Sequence, residues 1–286
     1  MSTIQPLLQQ RYGEHIPSDL LQNSDVLNLN HPVLNTVLQH ASLRHFSSQK
    51  ISPEYLSLLI AAAQSAPTSS NIQAWSVVAV QGEAQKNKLS QLAGNQAFIR
   101  EAPLFLVWTI DLNRSRDVIQ LTEPEQGIEH AIGLESVDSL LIGTIDVALA
   151  AQNLTIAARA LGLGSVYVGG IRNNLKQVVE VLELPQGVVA VFGVALGYPQ
   201  GVSNQVIKPR LPQKIVLHHE VYQQQRQLDE TSLGEYEKTL NQFQQNVGQP
   251  QDRWRDKVTQ RLSSLNGREH LAKVFNQQGL NIFTDH

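Results

Sequence analysis

The longest apolar run of the chain, residues 140–163, restricts the possible folds more than any other feature. Asp146, Gln152, Asn153 and Arg159 interrupt the run, and a bilayer interior tolerates such side chains poorly. We therefore interpret it as a buried core helix over residues 139–160 rather than as a membrane span. Gly162 follows where a helix commonly ends. A core helix of this length predicts a chain with a large hydrophobic interior.

Helix and strand patterns alternate on both sides of this run. Ser52 followed by Pro53 is typical of a helix start, and Pro67 marks the end of that helix. Apolar stretches predict four strands and one further helix: strands over 75–80, 104–111, 165–168 and 187–197, and the helix over 175–182. This alternation up to residue 198 predicts the α/β or α+β class.

Three segments lie outside the alternating pattern. Residues 1–30 are polar and weakly periodic, and we expect an arm or a helix that lies on a partner. Residues 113–135 are polar and predict an inserted, irregular loop. Beyond residue 210, Gln-rich helical segments with a break near 248–250 predict an appended helical cap. We therefore divide the chain into an N-terminal arm (1–34), a core (35–212) and a C-terminal helical extension (213–286).

The composition excludes several functional classes. The absence of cysteine excludes thiol nucleophiles, disulfides and cysteine-ligated metals. The formal charge is −3 and basic residues are scattered, which argues against a nucleic-acid partner. The nine histidines show no metal-ligand spacing, and no G-x-S-x-G motif is present, so neither a metal site nor a serine hydrolase is predicted. No secretory signal pattern is visible, and we expect a soluble cytoplasmic protein without a membrane partner.

His40, Ser42 and Arg44 alternate along residues 40–46 and would share one face of an extended backbone. A hydroxyl and a guanidinium on one edge suit a phosphate or another anion. Lys208 and Arg210 repeat the arrangement around a stiffening proline. Taken alone, each motif is equally consistent with a cap and solvated surface charges.

Residues 167–174 carry adjacent glycines between a strand and a helix, which permits close approach of a flat or anionic ligand. The spacing is not that of a dinucleotide fingerprint, and a simple tight turn is the alternative. Residues 68–73 form a loop of hydroxyl and amide side chains. This loop could be merely hydrophilic.

Five segments occur in an order that resembles the nitroreductase/flavin reductase family, in its NADPH-dependent, oxygen-insensitive branch. The segments are 40–46, 67–75, 94–96, 162–174 and 208–212, and the similarity covers about residues 35–286. The resemblance implies an α+β fold with a central, mostly antiparallel sheet flanked by helices and a C-terminal helical excursion. It also implies FMN bound at the interface of a homodimer, with the core segment as the FMN-binding part.

The resemblance assigns roles to individual residues. His40, Ser42, Lys208 and Arg210 would hold the phosphate and ribityl chain. Arg44 and Gln96 would lie near the pyrimidine end of the flavin, with Arg44 as the catalytic residue that stabilises negative charge there. Arg268 would lie near the substrate opening. The complete set of implied flavin contacts is His40, Ala41, Ser42, Leu43, Arg44, Thr68, Ser69, Gln96, Tyr167, Val168, Gly169, Gly170, Lys208 and Arg210, with Thr68 and Ser69 reaching the ring from the partner protomer.

The activity implied is hydride transfer from NAD(P)H to FMN, followed by two-electron reduction of nitroaromatics, quinones or free flavin in a ping-pong cycle. The family's basic loop for the 2′-phosphate of NADPH corresponds here to residues 245–251, which contain no Lys or Arg. Arg253 and Arg255 follow this stretch and are the alternatives, so NADH stays open as a reductant. A non-catalytic flavin carrier or sensor, and a flavin-free phosphate binder, are the rival functions. The physiological acceptor is not specified by these motifs.

Overall fold

Four strands form one antiparallel sheet in the computed structural model, which describes residues 3–125, 127–201, 206–223 and 229–280. The strands are β1 (Trp75–Val80), β2 (Leu104–Asp111), β3 (Gly164–Val168) and β4 (Val188–Gly197). Their order is β1-β2-β4-β3, and all three pairings are antiparallel. β2 is buried along nearly its whole length because it lies inside the sheet with apolar side chains on both faces. The four predicted strands are confirmed to within one residue.

The chain also contains helices, which are interspersed with the strands and form both of its described ends. They are α1 (Gln5–Tyr12), α2 (Ser18–Leu21), α3 (Ser24–Leu27), α4 (Pro32–Leu38), α5 (Pro53–Gln64), α6 (Glu83–Leu92), α7 (Ala97–Glu101), α8 (Asn113–Thr122), α9 (Val137–Ala160), α10 (Leu175–Val181), α11 (Gln213–Val216), α12 (Glu230–Asn246), α13 (Trp254–Leu262) and α14 (Leu271–Gln277). The α+β class with a helical C-terminal region is confirmed. The break predicted near 248–250 separates α12 from α13.

The apolar run forms α9, which begins two residues earlier than predicted. The Ser136 hydroxyl accepts a hydrogen bond from the Ser139 N–H (3.1 Å) and so caps the helix. Gly162 ends it with φ +78°, as expected for a C-terminal glycine. By length and composition α9 could cross a membrane. It packs instead against α5 and strands β1, β2 and β3, with Ala150 and Leu154 fully buried.

Contacts divide the chain into two units, each built from discontinuous segments. One unit comprises Met1–Ala41 and Asn204–Ser264, and the other comprises Ser42–Ser203 and Leu265–His286. Residues 281–286 of the predicted C-terminal extension lie outside the described residues. The arm, core and extension expected from the sequence were consecutive segments, whereas each of these units combines segments that are far apart in the chain. In the first unit, the N-terminal residues pack on later ones, since a Cβ at Gly13 would lie 2.8 Å from the Thr239 hydroxyl of α12.

The N-terminal residues form helices rather than a simple arm. Helices α1 to α4 enclose a small apolar cluster made by Ile4, Leu8, Ile16 and Leu27. The weak periodicity of the sequence reflects how short these helices are. The other unit contains the main hydrophobic core around the sheet.

The prediction of an irregular loop over 113–135 was wrong. Its first ten residues form α8, followed by 3-10 turns at Ile128–His130 and Ile132–Glu135. No proline or glycine interrupts the segment before Pro124, and a polar helix needs only a narrow apolar stripe. In α8 that stripe includes Ile119, which packs against the main core.

Candidate functional site

Residues 42–46 run beside the edge strand β3. The Leu43 N–H donates to the Ser165 carbonyl (2.9 Å), and Phe46 pairs with Pro199. Leu43 lies directly over Gly164, where a Cβ would come within 2.3 Å of its side chain. Leu43 is buried, while Ser42 and Arg44 are exposed. The predicted alternation therefore holds for these residues, and Arg44 makes no ion pair or hydrogen bond with other described residues.

The glycine segment after β3 is a 3-10 helix, Gly169–Asn174, rather than a bare turn. Gly170 lies so close to the turn before α7 that a Cβ would be 2.5 Å from the Ala93 carbonyl oxygen. The same Cβ would be 2.6 Å from Nε2 of Gln96, which donates to that carbonyl (2.8 Å). Gln96 and Gly170, predicted to contact one ligand, are thus in direct contact with each other.

Arg268 reaches the same 3-10 helix from the C-terminal end of the chain. Its Nη2 donates to the Gly169 carbonyl (3.2 Å) and its Nε to Oδ1 of Asn173 (3.1 Å). Arg268, which is predicted to lie near the substrate opening, therefore also holds the glycine segment in place.

Tyr167 and Val168 end strand β3 and face different environments. Val168 is buried, whereas Tyr167 is 36 % exposed and its ring makes an edge-to-face contact with Phe192, at 5.1 Å between ring centroids. Burial raises the pKa of the Tyr167 phenol, so it is protonated at neutral pH. Tyr167 therefore presents a neutral aromatic surface next to the glycine segment.

The hydroxyl-rich loop before β1 is held by a buried carboxylate that the sequence motifs did not single out. Asp146 of α9 is 1 % exposed and accepts the Ser69 N–H through Oδ1 and the Ala74 N–H through Oδ2, both at 3.1 Å. Thr68 lies in the same loop and accepts the Gln73 N–H at its hydroxyl (3.1 Å). A lone carboxylate inside an apolar helix was the available signal for this role.

Strain in this loop explains why it needs the carboxylate. Ser70, Asn71 and Gln73 all have left-handed backbone conformations, with φ of +49°, +56° and +56°. Such conformations are costly for residues other than glycine and persist only where surrounding contacts impose them. They cluster at functional sites in many proteins.

Lys208 and Arg210 are exposed on either side of buried Pro209, as the alternating motif predicts. Both lie in the unit formed by the two chain ends, together with half-exposed His40 and buried Ala41. Arg11 of α1 joins these segments. Its Nη1 donates to the Lys208 carbonyl (2.7 Å) and its Nη2 to the His40 carbonyl (3.4 Å). The structure thus brings three of the predicted phosphate ligands into one unit.

Arg253 and Arg255, the alternatives for a 2′-phosphate site, are both engaged by carboxylates. Arg253 pairs with Asp256 through two bonds (2.8 and 2.9 Å) and lowers the pKa of that carboxyl. Arg255 pairs with Glu230 (3.0 Å) and with Glu237 (3.3 Å). Their positive charge is largely neutralised within the chain.

Comparison with known proteins decides the family. A sequence model described as the nitroreductase family matches residues 37–198, and one for that family's C-terminal domain matches residues 208–282. The chain belongs to the nitroreductase family.

Individual relatives resemble this chain over most of their length. It is 36 % identical over 250 residues to the FMN reductase (NADPH) of Bacillus subtilis. The matched region covers 87 % of this chain and 98 % of the relative. It is 35 % identical, with 87 % and 98 % covered, to the oxygen-insensitive NADPH nitroreductase of Salmonella typhimurium. The solved NADPH:FMN oxidoreductase of Vibrio harveyi in complex with NAD+ superposes with a TM-score of 0.75 at 33 % identity, covering 88 % of this chain and 99 % of that one.

The matched ranges contain every predicted site residue of this chain, because the first includes His40 to Gly170 and the second begins at Lys208. Arg11 lies before both ranges. Among the described residues, no group of three or more His, Asp or Glu side chains is placed to hold a metal ion. The roles of the individual site residues stay predictions.

Proposed function

We propose that this chain is an NAD(P)H-dependent flavin oxidoreductase that uses FMN to reduce small aromatic acceptors in the cytoplasm. The observation that carries the proposal is its membership of the nitroreductase family, with relatives named as NADPH-dependent FMN reductases and nitroreductases. The arrangement of its own residues supports the same function.

Within each of the two units, the residues present suit one part of FMN. Exposed Lys208 and Arg210 supply positive charge for a phosphate, and neither Arg11 nor Arg210 is paired with a carboxylate among the described residues. At the ring end, partly exposed Gly169 lies beside Tyr167 and has no side chain to obstruct a flat ligand, while buried Gly170 packs on the turn before α7. Ser42 and Thr68 offer hydroxyls for the ribityl chain and ring edge. His40 is assigned to the phosphate, and Ala41, Leu43, Ser69, Gln96 and Val168 complete the proposed contacts.

Bound FMN would supply the redox chemistry, accepting a hydride from NAD(P)H and passing two electrons to a nitroaromatic, a quinone or a free flavin. The protein places reductant and acceptor in turn at one ring face, which makes the kinetics ping-pong. Arg44 is the proposed catalytic residue, because its exposed guanidinium has no partner among the described residues and is available to stabilise negative charge that develops on the pyrimidine edge. No side-chain nucleophile or general base is required.

Arg268 is proposed to shape the acceptor site. Two of its donors already hold the glycine segment, so its loss would change the position of that segment as well as any direct contact with an acceptor. This predicts a larger effect on KM for acceptors than on FMN retention.

The proposed assembly is a homodimer that buries the exposed face of α9. Val137, Leu141, Ile145 and Leu149 recur every four residues and are between 38 % and 54 % exposed, which leaves an apolar stripe along the helix. A cleft of about 750 Å³ lined by Ile72, Val118, Ile142 and others lies beside its first turns. Apolar surface of this extent is typical of interfaces.

Multi-angle light scattering tests the homodimer. We expect wild-type protein to have twice the chain mass and Ile145→Asp to shift toward the monomer, because a carboxylate in the stripe would be buried without a partner. Leu262→Asp is the matched control, since Leu262 is 76 % exposed on α13 and lies outside the stripe. A wild-type monomer, or equal behaviour of the two variants, would contradict the proposal.

The activity is tested by the absorbance spectrum of the purified protein and by anaerobic stopped-flow reduction with NADPH and NADH in parallel. We expect flavin absorbance bands that bleach on mixing with reductant, and parallel double-reciprocal plots with a quinone acceptor. A flavin spectrum that does not bleach would support a carrier or sensor. Absence of flavin bands after FMN addition would support a flavin-free phosphate binder.

A further inference from the structure

Arg11 is an arginine of the N-terminal helix α1 that is only 9 % exposed. Its guanidinium donates to three backbone carbonyls: those of Lys208 (2.7 Å), Leu38 (3.0 Å) and His40 (3.4 Å). Hydrogen bonds from a charged, buried donor are among the stronger ones in proteins. Arg11 therefore fixes two stretches of backbone that are far apart in sequence.

The backbone of Arg11 adds a fourth connection. The Arg210 N–H donates to the Arg11 carbonyl (3.0 Å), while the Arg11 side chain binds the Lys208 carbonyl on the other side of Pro209. The segment that carries the two exposed cations is thus held at both ends by one residue. A planar guanidinium with several donors suits this task better than a lysine ammonium does.

The positive charges of Arg11 and Arg210 lie close together. Among the described residues, neither Arg11 nor Arg210 forms an ion pair. Burial lowers the pKa of the Arg11 guanidinium, and the charge of Arg210 lowers it further. An arginine remains protonated despite such a shift, so positive charge accumulates here, and a bound anion would relieve the repulsion.

We propose that Arg11 is a positioning residue for the phosphate end of the flavin site, holding His40 and the Lys208–Arg210 segment in the arrangement that binds the phosphate. The proposal rests on the FMN-dependent function proposed above. It gives the N-terminal residues, which precede both ranges matched by the family, a part in cofactor retention.

The test compares FMN with riboflavin, which has the same ring and ribityl chain but no phosphate. Flavin-free protein is titrated with each, and binding is followed by quenching of flavin fluorescence. For Arg11→Met we expect the Kd of FMN to rise about tenfold or more, equivalent to about 1.4 kcal/mol, and the Kd of riboflavin to stay within about twofold. Arg11→Lys should lie between wild type and Arg11→Met, because one ammonium replaces only part of the fork.

Lys257→Gln is the matched control, because it removes one exposed positive charge from the same unit at α13, where Lys257 pairs with Asp252 (3.2 Å). It should leave both dissociation constants unchanged. Equal losses for FMN and riboflavin in Arg11→Met would assign Arg11 a purely structural role and overturn the proposal, as would unchanged FMN binding. Should Arg11→Met fail to fold by circular dichroism, the FMN-to-riboflavin ratio of Arg11→Lys decides. Wild-type protein that binds no FMN would instead contradict the proposed function itself.

Discussion

Replacement of Asp146 by asparagine tests whether the buried carboxylate holds the loop that precedes β1. The carboxylate accepts the Ser69 and Ala74 N–H groups, one at each oxygen and both at 3.1 Å. Asparagine keeps one acceptor oxygen and places an amide NH2 against the other N–H. One backbone donor is then left without an acceptor in a site that is 1 % exposed, and two donors face each other.

The cost follows from these contacts. A hydrogen bond to a charged group contributes about 1.5–3 kcal/mol, and a buried donor left unsatisfied costs a similar amount. Asp146→Asn should therefore lower the free energy of unfolding by about 2–3 kcal/mol, whereas Asp146→Ala, which removes both acceptors, should lower it by about 3–5 kcal/mol. At about 2–4 °C per kcal/mol for a chain of this size class, the asparagine variant should melt about 4–12 °C below wild type.

Thermal denaturation of the flavin-loaded protein, followed by circular dichroism, measures the change. Asp138→Asn is the control, because Asp138 is an exposed aspartate in the first turn of the same helix. It should change Tm by far less. Equal Tm values for Asp146→Asn and Asp138→Asn would refute the role assigned to the buried carboxylate.

Three further predictions concern the glycine segment, the reductant and FMN retention. Gly170→Ala should destabilise the protein by about 1–3 kcal/mol in urea unfolding, because its Cβ would overlap the Ala93 carbonyl. Gly234→Ala, at an exposed position of α12 with open space around the Cβ, should instead stabilise it by about 0.5–1 kcal/mol. Arg253→Gln should leave the ratio of kcat/KM for NADPH to that for NADH unchanged within about twofold, since Asp256 already occupies the guanidinium; a selective loss with NADPH would show that the pair opens to bind the 2′-phosphate. Arg210→Ala should weaken FMN binding by about 1.5–3 kcal/mol, and unchanged affinity in equilibrium titration would contradict the phosphate assignment.

Local sequence patterns predicted most elements because the physical causes are local. Ser52 caps α5 by accepting the Tyr55 N–H (3.3 Å), and the apolar run forms α9. Strands β1 and β2 have the predicted limits. The family resemblance implied a mostly antiparallel sheet, but the pairing order was not predicted. Strands β2 and β4 meet across a long stretch of chain, and no local signal encodes their contact. Helix α8 was missed because its residues are mostly polar, although they carry an apolar stripe that includes Ile119.

The same difference between local and long-range causes decides which features of the candidate site were predictable. The alternation of exposed and buried residues around Leu43 and Pro209 was predictable from spacing alone. The connections that hold those segments were not, because Arg11 and Asp146 act on backbone groups far away in sequence. Backbone groups look alike at every position, so a side chain that binds them leaves no partner motif to search for. A charged residue in an otherwise apolar or weakly periodic helix was the only sign in either case.

Helix α9 connects two of these features and makes their coupling testable. Its buried face carries Asp146, which holds the hydroxyl-rich loop, and the adjacent Ile145 belongs to the exposed apolar stripe. Neighbouring side chains on a helix point about 100° apart. The same turn of α9 therefore positions both Asp146, which holds the loop, and Ile145, which is proposed to contact a second copy of the chain. The loop is also the part proposed to reach the flavin of the partner. A shift of this turn would therefore change dimer contact and loop position together, and Ile145→Asp should lower FMN affinity as well as dimer stability. Loss of the dimer with unchanged FMN affinity would show that each chain forms a complete flavin site by itself.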